Sequence, residues 1–262
     1  MALHKNSKHT KPPREDGPVW LYGRHAVLAA LKNARRNLDR LVITQNAAAW
    51  IEEQHKLPGK AESLKPHQID KLLPQGAVHQ GVAGLFSDLP RARLKDVCSP
   101  DGTGPVVVLD QVTDPQNIGA ILRVAAGFHA QAVIVQDRRT PPLSGALAKA
   151  AAGTLETLPV IRAVNISRSL EALQDMGFRT AGLAGEGAVP LPAYRHRGPL
   201  ALVMGAEGKG IREGVRGHCD DLVSIPLAEE VESLNVATAA AVALYAVTNQ
   251  DFGSPAESSP AI

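Results

Sequence analysis

Across residues 105–247, short apolar runs alternate with stretches of helical periodicity. No other feature of this 262-residue chain constrains its fold as strongly. The strands are "VVVLD", "AVIV", "LPVIR", "RTAGLA", "LALVMG" and "LVSIPL". The first is apolar without interruption, as a strand buried on both faces requires. Between them a helix opens in "DPQNIGAILRVAAGF", with Asp114 at the N-cap, Pro115 in the first helical position and Gly127 near the stop. Further helices are predicted through 145–152 and 169–176, then a short one after "LALVMG" and a closing Ala-rich helix. Strands alternating with helices imply a parallel sheet covered on both sides, an α/β fold.

The preceding third is organised differently. "VWLYGRHAVLAALKNARRNLDRLVIT" carries a helical pattern (Val27, Leu28, Leu31) and then a strand-like "RLVIT". "GAVHQGVAGLF" reads as another strand over 76–86, so 18–88 is a small α/β unit. Residues 1–17 are a polar, basic arm without the apolar content for a core. Residues 89–104, polar and ending in Pro and Gly, are a linker; 105–249 are the regular α/β domain and 250–262 a flexible tail.

Charge separates the two halves. Residues 1–99 hold 16 Lys and Arg against 9 Asp and Glu, whereas 100–262 hold 12 against 17. The basic half is suited to a polyanion, although a solvated surface explains the same count. Two isolated cysteines, Cys98 and Cys219, fit a reducing cytosol better than a disulfide framework. The N-terminus has no apolar core of a secretory signal, and the apolar run 236–247 is too short to span a bilayer. The expectation is a cytoplasmic protein with no membrane partner.

Common catalytic patterns do not occur. There is no GxxxxGK[ST] and no strict GxGxxG, since Pro190 takes the last position after "GLAGEGAV". HExxH, GxSxG and paired histidines are also missing, so no metal site is expected. Three polar clusters remain, each following a predicted strand, where open parallel sheets bind ligands. They are Asn117, Gly119 and Arg123; Gly205, Glu207, Gly208 and Gly210; and "IPLAEEVESLN", ending in Ser233 and Asn235. Ser233 reads as the N-cap of the closing helix, with Asn235 one step inside it.

In this order and spacing, "DPQNIGAILR", "LVMGAEGKG" and "IPLAEEVESLNVATAAAVALY" closely resemble the three motifs of the SpoU/TrmH family of RNA ribose 2′-O-methyltransferases. "LYGRHAVLAAL" and "HQGVAG" resemble the substrate-binding domain of its 23S rRNA guanosine branch. The resemblance implies a trefoil-knotted SPOUT domain behind a small RNA-binding domain, S-adenosylmethionine as cofactor and a homodimer. It assigns Asn117, Arg123, Glu207, Ser233 and Asn235 to catalysis. Leu183, Gly185, Met204, Gly205, Ile225, Leu227, Leu234 and Asn235 would line the cofactor. Arg123 would act either as general base or as a cationic clamp on a substrate phosphate; a guanidinium is effectively always protonated. The basic residues Arg24, Lys32, Arg35 and Arg36 are the candidates for RNA contact.

The chain departs from the family pattern at Glu229, where glycine is usual, and at Ala237, where serine is common. Glu229 bears on the shape of the cofactor-side loop, since a side chain replaces a permissive residue. Ala237, Ala240 and Ala241 allow close approach of a backbone, whether a second subunit's or the chain's own. Transfer to tRNA is the alternative within this class. A non-catalytic RNA-binding ribosome-assembly factor is the alternative outside it.

Overall fold

The computed structural model describes residues 17–186 and 189–249. Nearly all of the basic arm expected over 1–17, and the tail expected over 250–262, lie outside the described residues.

The N-terminal unit comprises β1 (Val19–Tyr22), α1 (Arg24–Lys32), β2 (Leu38–Ile43), α2 (Gln45–Glu52), β3 (Ala61–Ser63), α3 (Pro66–Asp70) and β4 (Val82–Phe86). Its sheet runs β1-β4-β2-β3, with β4 antiparallel to both neighbours and β3 parallel to β2. The strand expected over 76–86 is confined to β4, because Gln80 and Gly81 adopt positive φ and turn the chain. This turn has a purpose. His79 Nδ1 accepts the Gly81 amide at 3.0 Å, and Gln80 Oε1 accepts the Arg24 amide at 3.1 Å, capping α1. A Cβ on Gly81 would overlap the Thr44 side chain, so "HQG" joins three elements at one corner.

After α4 (Leu94–Val97) within the linker come β5 (Val106–Leu109), α5 (Pro115–Gly127), β6 (Ala132–Gln136), α6 (Gly145–Ala150), a 3-10 turn (Thr154–Glu156) and β7 (Val160–Ala163). Then follow α7 (Ile166–Asp175), β8 (Arg179–Leu183), β9 (Val189–Pro190), β10 (Leu200–Met204), α8 (Glu213–Arg216), β11 (Asp221–Ser224) and α9 (Val236–Thr248). The seven strands lie in the order β7-β6-β5-β10-β8-β11-β9, every pairing parallel. Asp114 caps α5 as expected, its Oδ1 accepting the Gln116 amide at 3.0 Å.

The apolar strands supply two cores because side chains alternate. Val107, Leu109, Val133, Val135, Leu202 and Met204 face one side, and Val106, Val108, Ile134, Ala201 and Val203 the other. The second side is closed by α7 and α8 through Ile166, Leu170, Leu173 and Val215. The first is continuous with the N-terminal unit, taking in Leu21, Val27 and Leu28.

A buried ion pair fastens the seam between the two units. Arg36 donates from Nη2 and Nε to the Glu156 carboxylate, at 2.8 Å and 3.0 Å, and from Nη1 to the Ser87 carbonyl at 2.7 Å. Asn33 Nδ2 donates to the same carboxylate at 2.7 Å, and Arg35 Nη2 to the Glu156 carbonyl at 2.7 Å. The Arg36 side chain is fully buried, so the charge has a purpose inside the protein.

Two predictions follow from these contacts. Glu156→Ala leaves Arg36 buried without its carboxylate and should cost about 3–5 kcal/mol in urea unfolding; a loss under 1 kcal/mol would show that the pair contributes little. Burial pushes both thiols, Cys98 and Cys219, up to about 11, with the neighbouring Asp220 and Asp110 charges adding to the effect at Cys219. At pH 8 both stay protonated, so iodoacetamide should label the native protein slowly and the urea-unfolded chain quickly.

Candidate active site

Every strand-to-helix loop of the parallel sheet leaves from the same edge, and the three polar clusters meet there. β10 pairs with β5, so its exit lies beside Asp110, whose amide donates to the Met204 carbonyl at 2.8 Å. The "GAEGKG" loop then doubles back, with the Gly210 amide donating to the Ala206 carbonyl at 2.8 Å. A Cβ on Gly205 would overlap the backbone of Gly210 and Ile211, so this glycine is required by the loop's own close approach. The loop's end is pinned by Arg212, which donates from its amide, Nε and Nη2 to the buried Asp110 carboxylate at 2.9, 2.9 and 2.6 Å.

That fixed loop holds Glu207 against the starts of two helices. Glu207 Oε1 accepts from Asn117 Nδ2 at 3.0 Å, from Asn235 Nδ2 at 2.6 Å and from the Val236 amide at 3.3 Å. Asn117 Oδ1 accepts from Asn235 Nδ2 at 2.9 Å, closing a triangle of side chains. Asn117 lies in the first turn of α5 and Val236 opens α9, so the carboxylate sits in the favourable field of helix N-termini. Gly119 allows α5 to press onto α6, since a Cβ there would strike Ala150 and the Leu147 carbonyl.

The structure reassigns the cap of α9. Asn235, expected one step inside the helix, is the N-cap: its Oδ1 accepts the Ala237 and Thr238 amides at 2.9 Å and 3.3 Å. Ser233, expected as the cap, is exposed and bonds to nothing among the described residues. Both residue types are good caps, and the longer Asn side chain also reaches Glu207. Arg123 is exposed on α5, about 9 Å along the axis from Asn117, and has no partner among the described residues.

The residues expected to line the cofactor occupy adjacent strand ends, because β8 lies between β10 and β11. Leu183 ends β8, Met204 ends β10 with Gly205 just after it, and Ile225 follows β11. Gly185 faces open space, and Leu227 and Val231 present apolar side chains to solvent in the loop beyond. Glu229 sits in a turn closed by the Val231 amide on the Ala228 carbonyl at 3.0 Å. It is not among the residues with positive φ, so the backbone here does not need glycine.

Of the four RNA-contact candidates, Arg36 is corrected outright: it is buried on Glu156 and unavailable to a polyanion. Arg35 is exposed but tethered to the Glu156 carbonyl, Lys32 is exposed, and Arg24 lies half-buried over Trp50. The Asp110–Arg212 clamp was missed by sequence reasoning. Its signal was the Asp closing an otherwise apolar strand, "VVVLD".

If Asn235 is both cap and corner of the triangle, Asn235→Ala should cost about 1–2 kcal/mol in urea unfolding. Ser233→Ala should change stability by less than about 0.5 kcal/mol. The reverse order would restore Ser233 as the cap.

Comparisons with known proteins bear on this geometry. Residues 104–245 match the SpoU rRNA Methylase family, and residues 20–92 match the RNA 2′-O ribose methyltransferase substrate-binding family. The chain is 38% identical over 243 residues to the 23S rRNA (guanosine-2′-O-)-methyltransferase RlmB of Ralstonia nicotianae, covering 90% of this chain and 98% of that one. It is 38% identical over 239 residues to an uncharacterized tRNA/rRNA methyltransferase of Synechocystis sp., covering 88% of this chain and spanning 62% of that relative. The SpoU methyltransferase AviRb from Streptomyces viridochromogenes, solved in complex with AdoMet, shares the fold. Its TM-score is 0.76 at 22% identity, over 91% of this chain and 92% of that one.

Proposed function

The chain belongs to the SpoU rRNA methylase family, and on that premise we propose that it methylates the 2′-hydroxyl of an RNA ribose, using S-adenosylmethionine. The substrate in this reading is a guanosine of 23S rRNA, the substrate class named for the Ralstonia relative, which the chain matches over nearly its full length. The observation that carries the reading is the Asn117–Glu207–Asn235 triangle, built from three separate loops on the edge where parallel sheets bind ligands.

The residues present suit the cofactor. Leu183, Ile225 and Leu234, half-buried, and Leu227, exposed, offer apolar surface, Gly185 leaves room beside it, and Met204, with its side chain buried in the core, would present its backbone. S-adenosylmethionine supplies the electrophilic methyl group when bound. The ribose oxygen is a poor nucleophile while protonated, so the chain's task is to orient that hydroxyl and draw on its proton. Glu207 holds Asn117 and Asn235 in one fixed geometry, which makes the three a preorganised polar platform. Arg123, exposed nearby and without a partner among the described residues, clamps a substrate phosphate; this role needs no deprotonation. Ser233 lies on the same loop as Asn235 and lines the approach.

In the same reading, residues 18–88 bind RNA and residues 105–249 carry the transfer, in the cytoplasm where ribosomes assemble. The family's trefoil knot and homodimer belong to it too. Exposed Val242 and Tyr245 on α9 support the homodimer.

The test is transfer of labelled methyl from S-adenosylmethionine to ribosomal and transfer RNA, with the modified ribose mapped. Label on a 23S guanosine is the expected outcome, and label in tRNA alone would move the substrate to tRNA. Absence of S-adenosylmethionine binding by calorimetry would overturn the enzyme reading in favour of a non-catalytic assembly factor. Glu207→Gln, which keeps the shape and removes the charge, should lower kcat about a hundredfold.

A further inference from the structure

The direction of α1 sorts the basic residues of the N-terminal unit into two ends. The Tyr22 ring lies against Gly145, Gly23 faces the Lys149 stem, and Ala29 meets Gly153. Asn33, Arg35 and Arg36 reach Glu156. β6 leaves the sheet at the edge bearing Asn117, and β7 re-enters from the opposite edge, so 145–156 leads away from the candidate active site. Arg24 therefore stands at the active-site end of α1, and Lys32, Arg35 and Arg36 stand at the far end.

The near end carries a distinctive group of side chains. Arg24 lays its guanidinium over Trp50, 5.5 Å from the ring centroid, and His25 meets the same ring edge-on at 5.4 Å. Arg24 Nε is buried without a hydrogen-bond partner among the described residues. Lys149 approaches from the other unit, its stem against Gly23, the residue before Arg24. Neither Arg24 nor Lys149 has an acidic partner among the described residues. By contrast, Arg36, Arg40, Arg179 and Arg212 each hold a carboxylate. A cation stacked on an aromatic pair, with a second cation's stem against the adjoining residue, matches the chemistry of a single-stranded nucleotide. Its phosphate takes the charges, and its base stacks on a ring or guanidinium plane.

We propose that Arg24, His25 and Trp50, with Lys149 across the seam, form a docking point for an unpaired nucleotide of the substrate RNA. This rests on the reading that the chain acts on RNA. Because the group spans both units, a nucleotide held there is placed at a set distance from the Asn117–Glu207–Asn235 triangle. The docking point thus measures where along the RNA the reacting ribose falls.

The chain has two tryptophans, so Trp20→Phe leaves Trp50 as the sole reporter. In that variant, transcribed 23S rRNA should quench the tryptophan emission as it binds, whereas a fully duplex RNA should not. Arg24→Ala and Lys149→Ala should each weaken binding of the transcript, read by filter retention, about tenfold and raise its KM. S-adenosylmethionine affinity should not move with them. Arg24→Lys should recover part of the binding, which separates lost contact from misfolding. Lys32→Ala, at the far end, should change binding less than twofold. Unchanged Trp50 emission at saturating transcript, or a Lys32→Ala defect equal to that of Arg24→Ala, would overturn the docking point even if methyl transfer proceeds. A wild-type protein that neither binds nor methylates RNA would remove the functional reading along with it.

Discussion

Parallel pairing of all seven strands is the constraint on which the C-terminal half depends. It sends every strand-to-helix loop out of one edge, so residues far apart in the chain must meet there. Asn117, Glu207 and Asn235 come from loops after β5, β10 and β11 and touch only because those strands run the same way. Side-chain contacts then make the arrangement rigid. Asp110 holds Arg212, the doubled-back glycine loop fixes Glu207, and Glu207 ties the starts of α5 and α9 together. Structural and chemical roles are therefore not separable here. Asn235 caps a helix with one side-chain atom and completes the polar platform with the other.

The same economy governs the seam between the two units. Their apolar faces merge into one core, which holds the N-terminal unit close but does not by itself set its angle. Hydrogen bonds have directions, and the Arg36–Glu156 fork with Asn33 and Arg35 supplies them at one end. Tyr22 and Gly23 against α6 supply the contact at the other. Basic residues on α1 and in the turn after it consequently have different fates: Arg36 is structural, Arg35 is tethered, and Arg24 stands at the candidate-site end.

Much of the larger unit's fold was legible in the residues alone. The apolar runs identified the strands of the larger sheet apart from the two-residue β9, because strands buried on both faces have no polar alternation to obscure them. The Asp-Pro start of α5 named its own cap. The smaller unit was less readable: α2 and β3 are short, and the 76–86 segment hides a left-handed turn at Gln80 that its apolar content does not reveal. Glu229 looked anomalous in the motif, yet the turn it occupies has no need of glycine.

The sequence by itself determined the α/β class and the family, and it singled out Asn117, Glu207 and Asn235, which the structure brings together, since periodicity and motif spacing are local properties. Only the tertiary structure decided what each polar residue does. Ser233 and Asn235 are equivalent caps by composition, and the choice fell to Asn235 because Glu207, 28 residues away along the chain, is within its reach. Arg36 and Arg24 are equivalent charges by composition, and the first was removed from the surface by Glu156, 120 residues away. Interaction energies depend on distance in space and on burial, and neither is contained in the order of residues along the chain.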